Sequence, residues 1–242
     1  MTVRVLIPVD ALVAGELELA DAEHHYVARV RRAAAGDAIT AFDGAGRAAD
    51  GVIIAITADR TRIRLGPVAV VPAPAPHLTA LIPLIKGDRL DLCVEKLAEV
   101  GVDTIALYQA ARAVVRLDGD RAAARRDRLA AVAEAAARQS GRAAAPVVAG
   151  PTPLGEALDA TASCDLRWLA HPAGAPPRLA AVPTRLAILT GPEGGLTAAE
   201  LAAAEAAGFV PVGLGPFVLR AETAPIVAAA HARIACSLLM TA

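Results

Sequence analysis

Chemistry in this chain concentrates where glycines and charged side chains follow short apolar runs. Leu186-Ala187-Ile188-Leu189-Thr190 leads into Gly191-Pro192-Glu193-Gly194-Gly195. Glycines just past a strand let the backbone approach a bound group closely, and α/β sheets hold their ligands at strand C-termini. The same residues also make a plain tight turn that binds nothing. A second apolar run, Val210 to Leu214, opens into Gly215-Pro216-Phe217-Val218-Leu219-Arg220-Ala221-Glu222-Thr223. It sets a cation and a carboxylate beside a helix start, although Arg220 with Glu222 is also what an ordinary surface ion pair looks like. A third site is Leu169-Ala170-His171-Pro172, where the histidine suits proton transfer or a structural hydrogen bond.

Arginine placement is the fourth feature. Between Arg112 and Arg142 lie eight arginines against four acidic residues, in a chain whose net charge is −1. Arg29, Arg31 and Arg32 follow His24-His25, and Arg60, Arg62 and Arg64 alternate along one strand. Guanidinium groups grip phosphate in a bidentate fashion, so these patches suit RNA. A solvated helix face explains the longest of them equally well. Overall charge excludes polyanion binding by net attraction, so any nucleic-acid site has to be local.

Other chemistries lose support. The glycine turn has no GK[ST] and not the GxGxxG spacing, which counts against ATP and NAD. Cys93, Cys164 and Cys236 lie far apart with no CxxC, so neither a disulfide framework nor a zinc site is expected, and a reducing cytosol follows. The N-terminus has no basic-then-apolar segment of the secretory kind. The most apolar window, Pro67 to Ile85, is broken by five prolines, and no membrane-spanning helix is expected from it.

The elements that must position these residues fall into two regions. Residues 1–71 read as short strands, Arg4–Ile7, Ala38–Phe42, Gly51–Ile56 and Thr61–Leu65, joined by Asp/Gly turns and interrupted by one helix over 21–34. The alternating Pro/Ala segment at 72–76 favours extended backbone and marks the boundary. In 72–242, strands (78–85, 104–108, 166–170, 185–190, 210–214) alternate with helices (88–100, 120–140 and 223 to about 240). That alternation predicts an α/β fold with a mostly parallel sheet. Thr197 with Glu200 forms a capping-box pattern that starts a helix directly after the glycine turn.

Taken in order, these motifs resemble a known family. His24-His25, Phe42-Asp43-Gly44, Lys86-Gly87-Asp88-Arg89, Glu95 to Val102, Gly191 to Gly195, and Leu214-Gly215-Pro216 with Val218 to Ala224 are similar to the RsmE family of 16S ribosomal RNA uracil-N3 methyltransferases, in the SPOUT superfamily. The resemblance implies an N-terminal PUA-like β-barrel over 1–71 that helps bind RNA. It also implies a SPOUT-type methyltransferase domain over 72–242 with a C-terminal trefoil knot. It further implies an S-adenosylmethionine cofactor, no metal, a homodimer and a cytoplasmic protein acting on the small ribosomal subunit. By position, the cofactor site comprises Leu169, His171, Pro172, Gly191, Pro192, Glu193, Gly194, Gly195, Leu214, Gly215, Pro216, Leu219 and Arg220. Arg220 and Glu222 are the candidate catalytic pair, and Arg29, Arg32, Lys86, Arg112 and Arg142 the candidate RNA contacts. Phe217 stands where the family usually has Arg, Ala221 where Thr is common, and Arg138 where Glu is usual. The alternative class is an RNA-binding module without catalysis.

Overall fold

The structure, a computed structural model, describes residues 2–113 and 115–241. The chain packs as two compact units: one runs to Ala73 and takes in Ala137–Ala145, the other holds Pro74–Ala136 and the chain from Pro146 onward. Nothing in the sequence marks the return of 137–145 to the first unit.

The first unit is a six-stranded sheet built from β1 (Val3–Leu6), β2 (Gly15–Leu19), β3 (Ala38–Phe42), β4 (Arg47–Ile56), β5 (Thr61–Leu65) and β6 (Ala69–Val70). Its order is β1-β3-β4-β5-β2, with β6 paired to β4. Only the β1–β3 ladder is parallel. In β5, Thr61, Ile63 and Leu65 point into the core while Arg62 and Arg64 face outward, the period-two pattern of a half-buried strand. Arg64 pairs across to Glu16 at 2.9 Å, so this arginine run is partly an outer-face ion pair. The Asp43-Gly44 turn is closed by the Asp43 carboxylate, which accepts from the Ala45 and Arg47 N–H groups at 2.8 and 2.9 Å and from Arg47 Nε at 2.6 Å. Burial disfavours the Asp43 charge, but these donors outweigh it and hold the carboxyl below its usual range.

The helix expected over 21–34 is shorter. It forms α1 (Asp21–His25), widens into a π-helical turn over Tyr26–Val30, and stops before Arg32, whose φ of +50° no regular right-handed helix contains. His24 is buried and hydrogen-bonded to Thr61 Oγ1 at 2.9 Å and to the Ala58 carbonyl at 3.2 Å, a structural role. The 137–145 segment completes this unit: Gly46 donates to the Ala143 carbonyl, Ala145 donates to the Gly44 carbonyl, and Arg138 pairs with Glu23 at 2.9 Å.

The second unit is a parallel sheet with helices on both faces. Its elements are β7 (His77–Pro83), α2 (Arg89–Glu99), β8 (Thr104–Gln109), α3 (Gly119–Ser140), whose last turn already belongs to the first unit, β9 (Val147–Pro153), α4 (Leu154–Asp159), β10 (Leu166–Ala175), β11 (Arg185–Leu189), α5 (Ala198–Ala206), β12 (Val210–Val212) and α6 (Thr223–Thr241). The order is β12-β10-β11-β7-β8-β9, and all five ladders are parallel. Strand alternation sorts the core into two layers. Leu78, Ala80 and Ile82 with Leu186 and Ile188 pack against α2, α3 and α6. Leu81, Ala187 and Leu189 pack against α4 and α5.

Four elements escape the sequence reading, one of them the two-residue β6. β9 ends in Gly150-Pro151-Thr152-Pro153, which reads as a loop, yet it is the edge strand, where a missing N–H leaves no neighbour unpaired. α4 follows it directly, and β2 is likewise an edge strand of the other sheet. β10 also runs five residues further than its apolar core, to Ala175, so His171 and Pro172 lie within a strand rather than just past one.

Candidate active site

Three parallel neighbours, β12, β10 and β11, end on the same edge of the sheet. The two loops singled out above leave from β11 and β12, and β10 between them carries Leu169, His171 and Pro172. They enclose one cavity of about 630 Å³. Glu193 and Leu219, one from each loop, both stand on its wall.

Local chemistry explains each loop. Gly195, at φ +69°, donates to the Pro192 carbonyl at 2.8 Å and closes the glycine turn. The capping box then starts α5: the Thr197 hydroxyl accepts from the Glu200 N–H at 3.2 Å, and Glu200 Oε2 accepts from the Thr197 N–H at 2.7 Å. Glu200 Oε1 also accepts from the Ala111 N–H at 2.7 Å. Burial opposes the Glu200 charge, but the Thr197 and Ala111 donors and nearby Arg112 win and lower its pKa. In the second loop Gly215 adopts φ +134°, and α6 begins at Thr223 with Pro225 in its first turn.

Most of the expected cofactor residues line the cavity: Leu169, His171 and Pro172 from β10, Gly191 to Glu193 with Gly195, and Leu214, Gly215, Leu219 and Arg220. Gly194 and Pro216 do not. The Gly194 carbonyl accepts from Arg112 Nη1 at 3.2 Å, so Arg112, expected at RNA phosphate, braces the glycine turn. Glu222 is not on the wall either. It is buried, with Oε1 at 3.9 Å from both Arg89 Nε and Arg220 Nη1, and Oε2 has no hydrogen-bond partner among the described residues. Burial pushes the neighbouring Cys93 thiol up to about 12, with the Glu222 charge adding to the effect.

The arginine-rich helix is largely occupied with its own unit. Arg125 and Arg128 both hold Asp91, at 2.9 and 2.5 Å, and Arg126 pairs with Asp127 at 2.8 Å. Arg29, Arg32 and Lys86 are exposed and Arg142 is half-buried. Arg89, Thr190 and Phe217 also line the cavity and were not among the expected contacts. The buried Thr190 hydroxyl has no hydrogen-bond partner among the described residues, while its carbonyl accepts from the Tyr108 hydroxyl at 2.6 Å. A strand that ends in Thr at the glycine turn was the available signal for it. Among the described residues no three His, Cys, Asp or Glu side chains gather as a metal site.

Comparison with known proteins places this geometry. The RNA methyltransferase domain family matches residues 72–233, and the RNA methyltransferase PUA domain family matches 19–65. Ribosomal RNA small subunit methyltransferase E of Mycobacterium bovis is 37% identical over 213 residues, 85% of this chain and 81% of that protein. The chain belongs to the ribosomal RNA small subunit methyltransferase E family. The Bacillus subtilis member is 35% identical over 155 residues, 60% of each chain. The structure of the Neisseria gonorrhoeae methyltransferase E bound to S-adenosyl methionine has a TM-score of 0.77 at 29% identity, covering 96% of each chain. Within this methyltransferase family framework every cavity-lining residue falls in the matched methyltransferase domain, and β3 to β5 fall in the matched PUA domain.

Proposed function

We propose that this chain transfers a methyl group from S-adenosylmethionine to N3 of a uridine in 16S ribosomal RNA of the small ribosomal subunit, working in the cytoplasm as a homodimer. The observation that carries this reading is the meeting of two glycine-bearing loops around one cavity with Arg220 in its wall. The residues fit the cofactor on three counts. The volume lies within the range of about 300–1,000 Å³ usual for small-molecule sites. Gly195 and Gly215 have positive φ and nothing within 4 Å of where a Cβ would stand, so backbone is open to a ligand. The buried Thr190 hydroxyl at the wall offers a hydrogen bond that nothing else described takes up. Leu169, His171, Pro172, the Gly191–Gly195 turn, Leu214, Gly215, Leu219 and Arg220 are the proposed cofactor contacts. A C-terminal trefoil knot, which the family resemblance implies, is part of the proposal.

Bound there, the cofactor supplies a methyl group already activated by its positively charged sulfur, so the transfer needs no metal. The protein must bring the uracil out of its stack, because N3 is engaged in pairing, and must help remove the N3 proton so that an in-plane lone pair is free. Arg220 stabilises the negative charge that spreads onto a uracil carbonyl oxygen as that proton passes to water. Glu222, expected to accept the proton or to orient the uracil, lies behind the wall with Oε1 3.9 Å from Arg220 Nη1, which favours a third role, orienting Arg220. Arg29, Arg32, Lys86 and Arg142 are the proposed phosphate contacts; for Arg112 the Gly194 bond comes first.

Calorimetry with S-adenosylmethionine, followed by methyl transfer to small-subunit ribosomal RNA and mass mapping of the product, tests this. The expected result is cofactor binding and one methyl group on a uridine. Binding without transfer would refute the assignment, and a methyl group on another base would assign a different substrate.

A further inference from the structure

The chain has six aromatic side chains. Phe42, Tyr108, Trp168 and Phe209 are at most 2% exposed, and Tyr26 packs half-buried on the core of the first unit. Phe217 alone points outward: it is 83% exposed, beside Val218 at 85%, and both stand on the cavity wall. Covering a phenyl ring removes about 150–250 Å² from water. A chain this poor in aromatics has used the others for its core and left one ring at the mouth of its site. Pro216 restricts its own φ and the conformation of Gly215 before it, so the ring is carried on stiffened backbone. Arg89 and Arg220 line the same cavity, so its wall carries an aromatic face and two cations.

We propose that Phe217 is a substrate-binding residue whose ring stacks on the pyrimidine base as it enters the cavity; this rests on the methyltransferase reading above. A base leaving its helix loses the neighbours on both faces, and an aromatic ring restores one of them without touching the base edge. The edge, with N3 and its flanking carbonyls, is then left to Arg220. The ring's high exposure favours a partner arriving from solvent over a small cofactor held within the cavity. A second copy of the chain has a separate apolar stripe to use, at Ile234 and Leu238 one turn apart on α6.

The test uses the whole protein and its Phe217→Ala, Phe217→Leu and Phe217→Trp variants, with S-adenosylmethionine affinity read by calorimetry and methylation rate measured against small-subunit RNA concentration. Cofactor affinity should hold in all three, which also reports that they fold. The alanine and leucine variants should raise the KM for RNA about ten-fold, the scale of one base–aromatic stack, while tryptophan keeps it at or below wild type. A leucine variant equal to wild type, or an alanine variant with no effect, would overturn the stack. Loss of cofactor affinity in the alanine variant would overturn it too, assigning the ring to the cofactor. Failure of the unmodified protein to bind cofactor or transfer methyl groups is a different outcome: it removes the methyltransferase reading itself and this inference with it.

Discussion

Glu222 has one oxygen near two guanidinium groups and the other buried without a partner among the described residues. Glu222→Gln keeps the shape and removes the charge that aims Arg220, so the single-turnover rate at saturating cofactor should fall about ten- to hundred-fold, and Arg220→Ala by about a hundred-fold or more. Wild-type rates in both would remove them from the reaction. Glu200 gives a pH test. Its folded pKa lies below the usual 4.5, so the stability it contributes is complete above that value and is lost as pH falls through the depressed folded value. Glu200→Gln should therefore cost about 1–2 kcal/mol at pH 7, and thermal melts of variant and parent should converge in more acidic buffer. The glycine turn and the capping box were legible because their chemistry is local. Arg89 was not, since only the tertiary fold brings it to the cavity; Thr190, directly before the glycine turn, carried a local signal, and the bond from Arg112 to Gly194, distant in sequence, was not legible.

At the scale of elements, the site depends on how closely β10 and β12 run. A Cβ on Gly174 would lie 2.5 Å from the Val212 backbone, and one on Gly213 would lie 2.4 Å from the Gly174 carbonyl oxygen. Backbone cannot rotate away as a flexible side chain can, so Gly174→Ala or Gly213→Ala should cost about 3 kcal/mol or more in chemical denaturation and weaken cofactor binding. Gly155→Ala in α4, where a Cβ would meet nothing within 4 Å, is the control and should stay within about 1 kcal/mol of the parent. The central strands β7, β8 and β11 were readable as continuous apolar runs because both faces are buried. The extension of β10 to Ala175 was not, because His171-Pro172 inside a strand makes sense only beside β12.

For the whole molecule, α6 is long and apolar enough by composition to cross a membrane. Here its Ala228, Ala229, Ala232 and Cys236 are buried, the three alanines in the core of the second unit, and Arg233 reaches the Pro74 and Pro76 carbonyls at 2.8 and 2.7 Å and Asp103 at 2.8 Å. Ile234, Leu238 and Met240 are left exposed. If the proposed homodimer uses the stripe of Ile234 and Leu238, Ile234→Glu with Leu238→Glu should shift sedimentation from dimer to monomer while thermal stability of the subunit changes by less than about 1 kcal/mol. Unaltered sedimentation as a dimer would move the interface elsewhere. The two-region plan was legible from the Pro/Ala segment, but the discontinuity at 137–145 was not, because a helix gives no sign of which core its last turn joins.

That discontinuity constrains how the gene can be rearranged. A single crossover at the Pro/Ala segment would deliver a first unit without the strip that bonds to Gly44 and Gly46 and pairs with Glu23. Swapping the first unit between relatives therefore requires two exchanges or a coordinated change in 137–145, although the proline-rich joint invites a single cut.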